Sequence, residues 1–183
     1  MTVSAFLPLL ALFACSSKGD DTAAADDSQP KATAPDAPPL VVNELLARND
    51  TANADEAGEF DDWVEIYNAG DRLVNFDGLY LTDDLATPTK WPLPAGAGLD
   101  TGKFLLVWCD GAPEQGDNHA SFKLSAASED LAIFMVADGF DPIRVDGIHY
   151  EQQQADLSAA RVPDGSDNWQ PGQVPTPGVS NGS

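Results

Sequence analysis

Positive charge is scarce in this chain: 9 Lys and Arg stand against 30 Asp and Glu, a formal net charge of −21 over 183 residues. Between residues 39 and 181 only 7 cations face 25 acids, a net of −18. Nucleic-acid binders draw most of their affinity from neutralising phosphates and need a basic footprint. These cations are scattered, which argues against nucleic acid and anionic lipid headgroups as partners, whereas cationic partners and divalent metals are compatible with the field. Cysteine is nearly absent too, with Cys15 and Cys109 alone. Without Cys15, one thiol remains and no internal disulfide can form. Roughly 140 residues must then fold on packing alone, which a chain of that size can do. A helical repeat is also missing: after residue 47, no stretch keeps apolar residues at i, i+3, i+4 and i+7 over three turns.

What the chain does have begins with the apolar run MTVSAFLPLLALFAC (1–15), too short to span a bilayer as a helix. It reads as the hydrophobic part of an export signal, although no Lys or Arg precedes Phe6. A cleaved ordinary signal or a buried first strand are the other readings. Leu12-Phe13-Ala14-Cys15 resembles the bacterial lipoprotein processing box. That resemblance implies lipidation of Cys15, and Ser16 behind it implies delivery to the outer membrane or cell surface. Residues 16–38 are small, polar and Pro-containing, the composition of a flexible tether.

From residue 39 onward the pattern is that of short strands. LVVNELLA (40–47) is apolar but too short for its period to decide between a strand and a helical turn. WVEIYN (63–68) alternates, with Trp63, Glu65 and Tyr67 on one face and Val64 and Ile66 on the other. RLVNF, GLYLT, SFKLS, LAIFMV, IRVDGIHY and a weaker run from Leu157 to Val162 continue the series. WPLP (91–94) suits a sheet edge, and KFLLVWC (103–109), apolar on both faces, suits a central strand. AASED offers a hairpin between SFKLS and LAIFMV. Asp-Gly at 77, 110, 138, 146 and 164 marks turns, because Gly admits the positive φ they require. The Pro-containing tail from Trp169 ends the domain rather than extending it. Many short strands with regular turns predict an all-β, immunoglobulin-like antiparallel sandwich.

Seven segments, in this order, resemble the lamin tail domain family, its bacterial branch most closely: VVNELLA, DDWVEIYNAG, LVNFDGLYLTDD, KWPLPAGAGLDTGKFLLVWCDG, FKLSAASEDLAIF, QQADLSAARVPDGSDNW and PTPGVSN. They cover residues 40 to 181. The family is known by structural residues and supplies no catalytic set to transfer. The resemblance implies core roles for Trp63, Ile66, Trp91 and Trp108, and an edge-sealing role for Pro175 to Gly178 with Asn181. It also implies a non-catalytic interaction or structural module over residues 39–181, with an unidentified envelope protein or polysaccharide as partner; the alternative is a calcium-dependent binding module for a surface protein or polysaccharide, using the 48–62 loop.

Three chemistries compete for the acids and histidines. A glycosidase-like pair needs two carboxyls facing each other, and in a strand Asp62 and Glu65 point to opposite faces. Glu65 is expected on a wet face or beside Arg72 or Arg161. Calcium suits the loop 48–62 better, since hard cations take six to eight oxygens and Asp50, Asp55, Glu56, Glu59, Asp61 and Asp62 lie within it. The EF-hand pattern fails there: counting from Asn53, Ala57 and Val64 occupy the fifth and twelfth places where ligands belong. No cofactor other than calcium is indicated, because Gly96, Gly98 and Gly102 lack the spacing of a phosphate loop. No G-x-S-x-G elbow exists, and Cys109, with no cation beside it, reads as a buried inert thiol. His119 falls in a polar connection and His149 in a strand as a half-buried residue, too few ligands for zinc. Arg161, a rare cation in an acidic field, is expected to pair with Asp156 or Glu65.

Overall fold

The computed structural model describes Met1 and residues 33–182, so Cys15 and most of the tether lie outside the described residues. Among the described residues there is no helix, and none long and apolar enough to cross a membrane. Eleven strands follow in order: β1 (Leu40–Leu46), β2 (Trp63–Asn68), β3 (Val74–Asn75), β4 (Leu79–Thr82), β5 (Trp91–Pro92), β6 (Gly98–Leu99), β7 (Phe104–Trp108), β8 (Glu129–Met135), β9 (Ile143–Tyr150), β10 (Ser158–Arg161) and β11 (Trp169–Gln173). They form a five-stranded sheet β11-β10-β1-β2-β7, a four-stranded sheet β5-β4-β8-β9 and the small pair β3-β6. Every strand ladder is antiparallel. The expected all-β antiparallel sandwich is the fold found.

The main core lies between the two larger sheets. Val42, Leu45, Val64, Ile66 and Val107 from the first meet Leu79, Leu81, Leu131 and Ile133 from the second, and Trp91 and Phe122 belong to the same cluster. Alternation along β1 is broken once. Leu40 and Val42 face this core, and after a register irregularity between Val42 and Glu44 the inward positions become Leu45 and Ala47. A bulge of this kind adds a residue to one strand and resets its faces. Here it sends Asn43 and Glu44 into one polar network on the sheet's outer face.

That outer face is buried as well. Trp63 packs there with Leu46 and Trp108 in a second cluster, apart from Ile66 in the main core. The indole N–H of Trp63 donates to Asn53 Oδ1 at 2.8 Å, which draws the 48–62 loop over it. The wet outer face expected for β2 therefore does not exist.

Four expectations about strands are corrected. Among the described residues β7 is an edge strand, with β2 as its one strand neighbour, because its other side carries only an isolated bridge from Trp108 to His119. SFKLS forms no strand: Phe122 and Leu124 are buried in the core, but among the described residues its one ladder contact is an isolated bridge between Lys123 and Asp110, so AASED is no hairpin. The tail extends the sheet, since β11 pairs along β10 and tolerates Pro171 as an outermost strand can. Asp146-Gly147 is no turn. Gly78, Gly111, Gly139 and Gly165 have φ between 72° and 81°, whereas Gly147 lies inside β9 opposite Ala132.

Gly147 is required there by space. A Cβ at this position would stand 2.5 Å from the Leu131 carbonyl oxygen and 2.8 Å from the Ala132 Cα. Gly147→Ala is expected to cost about 2–3 kcal/mol through backbone overpacking. Gly139→Ala, which meets nothing within 4 Å, should cost only the ~1 kcal/mol of a left-handed backbone. Urea denaturation of both variants checks the ranking.

Candidate functional site

The acidic loop is built on Asn49. Its amide donates to the carbonyls of Asn53 at 2.6 Å and Asp61 at 2.8 Å, tying both arms of the loop together. Asp156, left-handed at φ 59°, accepts from the Asp50 and Thr51 amides and from the Thr51 hydroxyl. Of the six acids expected to gather around a cation, three do. Asp55, Glu59 and Asp61 each bring a carboxylate oxygen to within 4.8 Å of the others. The remaining three are engaged elsewhere: Asp50 with Arg48, Asp62 with the Asn49 amide, and Glu56 with His119. Asp55 Oδ1 accepts from the Ala57 and Glu59 amides, while its buried Oδ2 has no hydrogen-bond partner among the described residues. Burial raises Asp61 above the usual carboxylate range, and the neighbouring Asp110, Glu59 and Asp55 push it the same way.

His119 is not in an open polar connection. It is fully buried, with Nδ1 2.5 Å from Asp110 Oδ2 and Nε2 3.3 Å from Glu56 Oε1. The segment docks because Trp108 at the edge of β7 exchanges backbone bonds with Asn118 and Ala120. Burial lowers the imidazole pKa and the two carboxylates raise it, with a net upward shift. Nothing in the spacing of Asp110 and His119 announced this pair. His149 is exposed rather than half-buried, on the surface of β9 beside Asp130. Cys109 is buried, and burial with nearby carboxylates raises its thiol well above the ordinary value, as an inert thiol requires.

Two fully buried acids lie on the outer face of the first sheet. Glu44 and Glu65 are cross-strand partners there, and both are fully buried. Glu44 accepts from the Ser158 hydroxyl at 2.6 Å and from the amide and hydroxyl of Thr176. Glu65 accepts the Gly178 amide at 2.5 Å, and no Arg reaches it, contrary to expectation. Asn181 donates its side-chain amide to the carbonyls of Asn43 and Arg161. The closing segment thus seals the face of the sheet, not its edge. Burial raises Glu65 to about 7, helped by the charge of Glu44, against the Gly178 bond. Asp62 and Glu65 serve different partners and do not form a pair.

Arg161 is buried and pairs with neither Asp156 nor Glu65. Its Nη2 meets both oxygens of Asp146 at 3.0 Å, its Nε donates to the Val42 carbonyl, and its Nη1 donates to the Ser166 carbonyl. Asp146 also accepts the Val42 amide at 2.8 Å. The guanidinium lies 5.0 Å from the centre of the Trp169 ring. The pair therefore joins β1, β9 and β10, across both sheets.

No protein-family model, curated protein or solved structure matches this chain.

Two outcomes follow from these networks. Arg161→Ala is expected to lose about 3–5 kcal/mol, because it strands Asp146 in a largely buried site. Arg161→Lys should recover little, lacking the planar fork, and chemical denaturation of both variants is the check. The second concerns pH. The folded Glu65 value of about 7 stands above its ordinary 4.5, so its protonated form favours the fold. That contribution is complete below the unfolded value and disappears as pH rises toward 7, at up to about 1.4 kcal/mol per pH unit. Glu44, Glu129, Asp61, Asp62 and His119 are raised as well and act with the same sign. The melting temperature should therefore fall from pH 5 to pH 8, and Glu65→Gln should flatten that slope.

Proposed function

We propose that this chain is a non-catalytic interaction module of the lamin tail type, tethered to a bacterial envelope through a lipid on Cys15. The open edge of β7 is the observation that carries the binding part of this reading. Asn68 donates to the Lys103 carbonyl and Cys109 to the Asp62 carbonyl, so the odd-numbered residues of this stretch bond to the β2 side. The even-numbered ones point away. Trp108 spends its outward groups on Asn118 and Ala120, whereas Phe104 and Leu106 have no backbone partner among the described residues. Phe104, Leu105 and Leu106 are only half-buried. An edge with free amides and apolar side chains accepts an extended peptide as an added strand.

The acidic field selects the partner: a basic, extended segment of an envelope protein is favoured by a domain carrying −18 between residues 39 and 181. Buried acids support the non-catalytic part. Glu44 and Glu65 hold the closing segment and Asp146 holds Arg161, so these groups are committed to the fold.

Two measurements test the reading. Mass spectrometry of the mature protein should find a diacylated or triacylated Cys15 as first residue; an unmodified Cys15 removes the anchor. An envelope protein retained by the wild-type chain at low salt should be released by Phe104→Pro, which removes an outward N–H. Retention unchanged by Phe104→Pro, or retention of polysaccharide alone, removes strand addition.

A further inference from the structure

We infer that Asp55, Glu59 and Asp61 form a calcium site that locks the 48–62 loop over the outer face of the first sheet. The chemistry of the donors comes first. All three are carboxylates, hard oxygen ligands without nitrogen or sulfur, the set that Ca²⁺ and Mg²⁺ take and that Zn²⁺ and copper share with softer donors. Their distances come next. Two oxygens each about 2.4 Å from one calcium ion can stand at most about 4.8 Å apart. The three oxygens satisfy that limit, all lying within 4.8 Å of one another.

An independent observation points into the same place. Asp55 is 9% exposed, and its Oδ2 is buried without a hydrogen-bond donor. A buried carboxylate oxygen left unmatched costs a few kcal/mol, and the other oxygen of the same group is fully served by the Ala57 and Glu59 amides. The loop thus aims one half of Asp55 at protein donors and leaves the other half for something that is not protein. No Lys or Arg forms an ion pair with the trio among the described residues. Glu59 has one protein contact, from the Gln115 amide at 3.1 Å, which leaves its second oxygen available. Three like charges with no paired cation favour a divalent ion.

Calcium is the ion proposed because it tolerates irregular oxygen sets. Mg²⁺ demands an octahedron at about 2.1 Å, while Ca²⁺ accepts irregular sets completed by water and carbonyls. A half-exposed site with three carboxylates belongs with extracellular modules that bind at about 0.1–1 mM. The consequence is mechanical. The same loop carries Asn53, whose side chain accepts the Trp63 indole N–H, so a cation fixing residues 55 to 61 also fixes the lid over the second apolar cluster. This inference does not depend on the partner or the anchor proposed above.

The test uses the full chain, stripped with EDTA and dialysed. Calorimetry with CaCl₂ should give saturable single-site heat. At 10 mM Ca²⁺ the melting temperature should rise by roughly 3–5 °C, the linkage expected for a dissociation constant of about 1 mM. Glu59→Gln and Asp61→Asn should each abolish the heat while melting no lower than the stripped wild type. Asp55→Asn retains an Oδ1 acceptor and tests the buried ligand. No heat and no melting shift up to 10 mM overturns the site. So does heat that survives in both Glu59→Gln and Asp61→Asn, or an equal response to MgCl₂.

Discussion

Burial of both faces of one sheet is the constraint on which this structure depends. The five-stranded sheet has the main core beneath it and, above it, the 48–62 loop and the closing segment from Thr176 to Asn181. A strand buried on both faces has no wet side on which to place its polar residues. Yet β1 and β2 carry Asn43, Glu44 and Glu65 on the covered face. Buried carboxyls are tolerated only when donors meet them. The Thr176 and Gly178 amides, the Ser158 hydroxyl and the Asn43 amide are those donors. The acids in turn are what hold the closing segment in place.

Composition explains why backbone amides perform this task. With seven cations between residues 39 and 181, ion pairing cannot satisfy the interior acids. Arg161 is the cation brought inside, and it is spent on Asp146 where β1, β9 and β10 meet. Elsewhere, buried or half-buried carboxylates depend on turn amides: Asp110 on Ala112, Asp55 on Ala57 and Glu59, Asp62 on Asn49. The raised values at Glu44, Glu65 and Asp62 are the cost of that arrangement, since each acid is desolvated without a strong counter-charge. The same scarcity leaves the Asp55 trio unpaired and the open β7 edge in a negative field.

Much of the fold was legible in residue order. Alternation in WVEIYN and the apolar runs at 79–82, 104–108, 131–135 and 143–150 correspond to real strands, because pleating forces period two on any half-buried strand. Four of five Asp-Gly pairs mark positive-φ glycines. The failures have particular causes. SFKLS looks like a strand because Phe122 and Leu124 alternate into the core, but alternation reports burial and cannot report pairing. KFLLVWC looks central because both its faces are apolar, yet the 118–120 segment, and not a second strand, meets part of its other edge. Asp146-Gly147 looks like a turn because the dipeptide does not distinguish a glycine needed for φ from one needed for space.

The candidate sites divide the same way. The calcium hypothesis could be read from the density of acids at 50–62, but which three converge depends on Arg48, Asn49 and His119 engaging Asp50, Asp62 and Glu56. Sequence alone determined the all-β class, the net charge of −21, and the residues from which a core would be made. These follow from local periodicity and composition, which need no knowledge of partners. Only the tertiary structure decided that Glu65 is buried, that Arg161 faces Asp146, that His119 lies inside, and that β7 has one strand neighbour among the described residues. Each of those is a contact between segments far apart in the chain, and its energy does not exist until the fold brings them together.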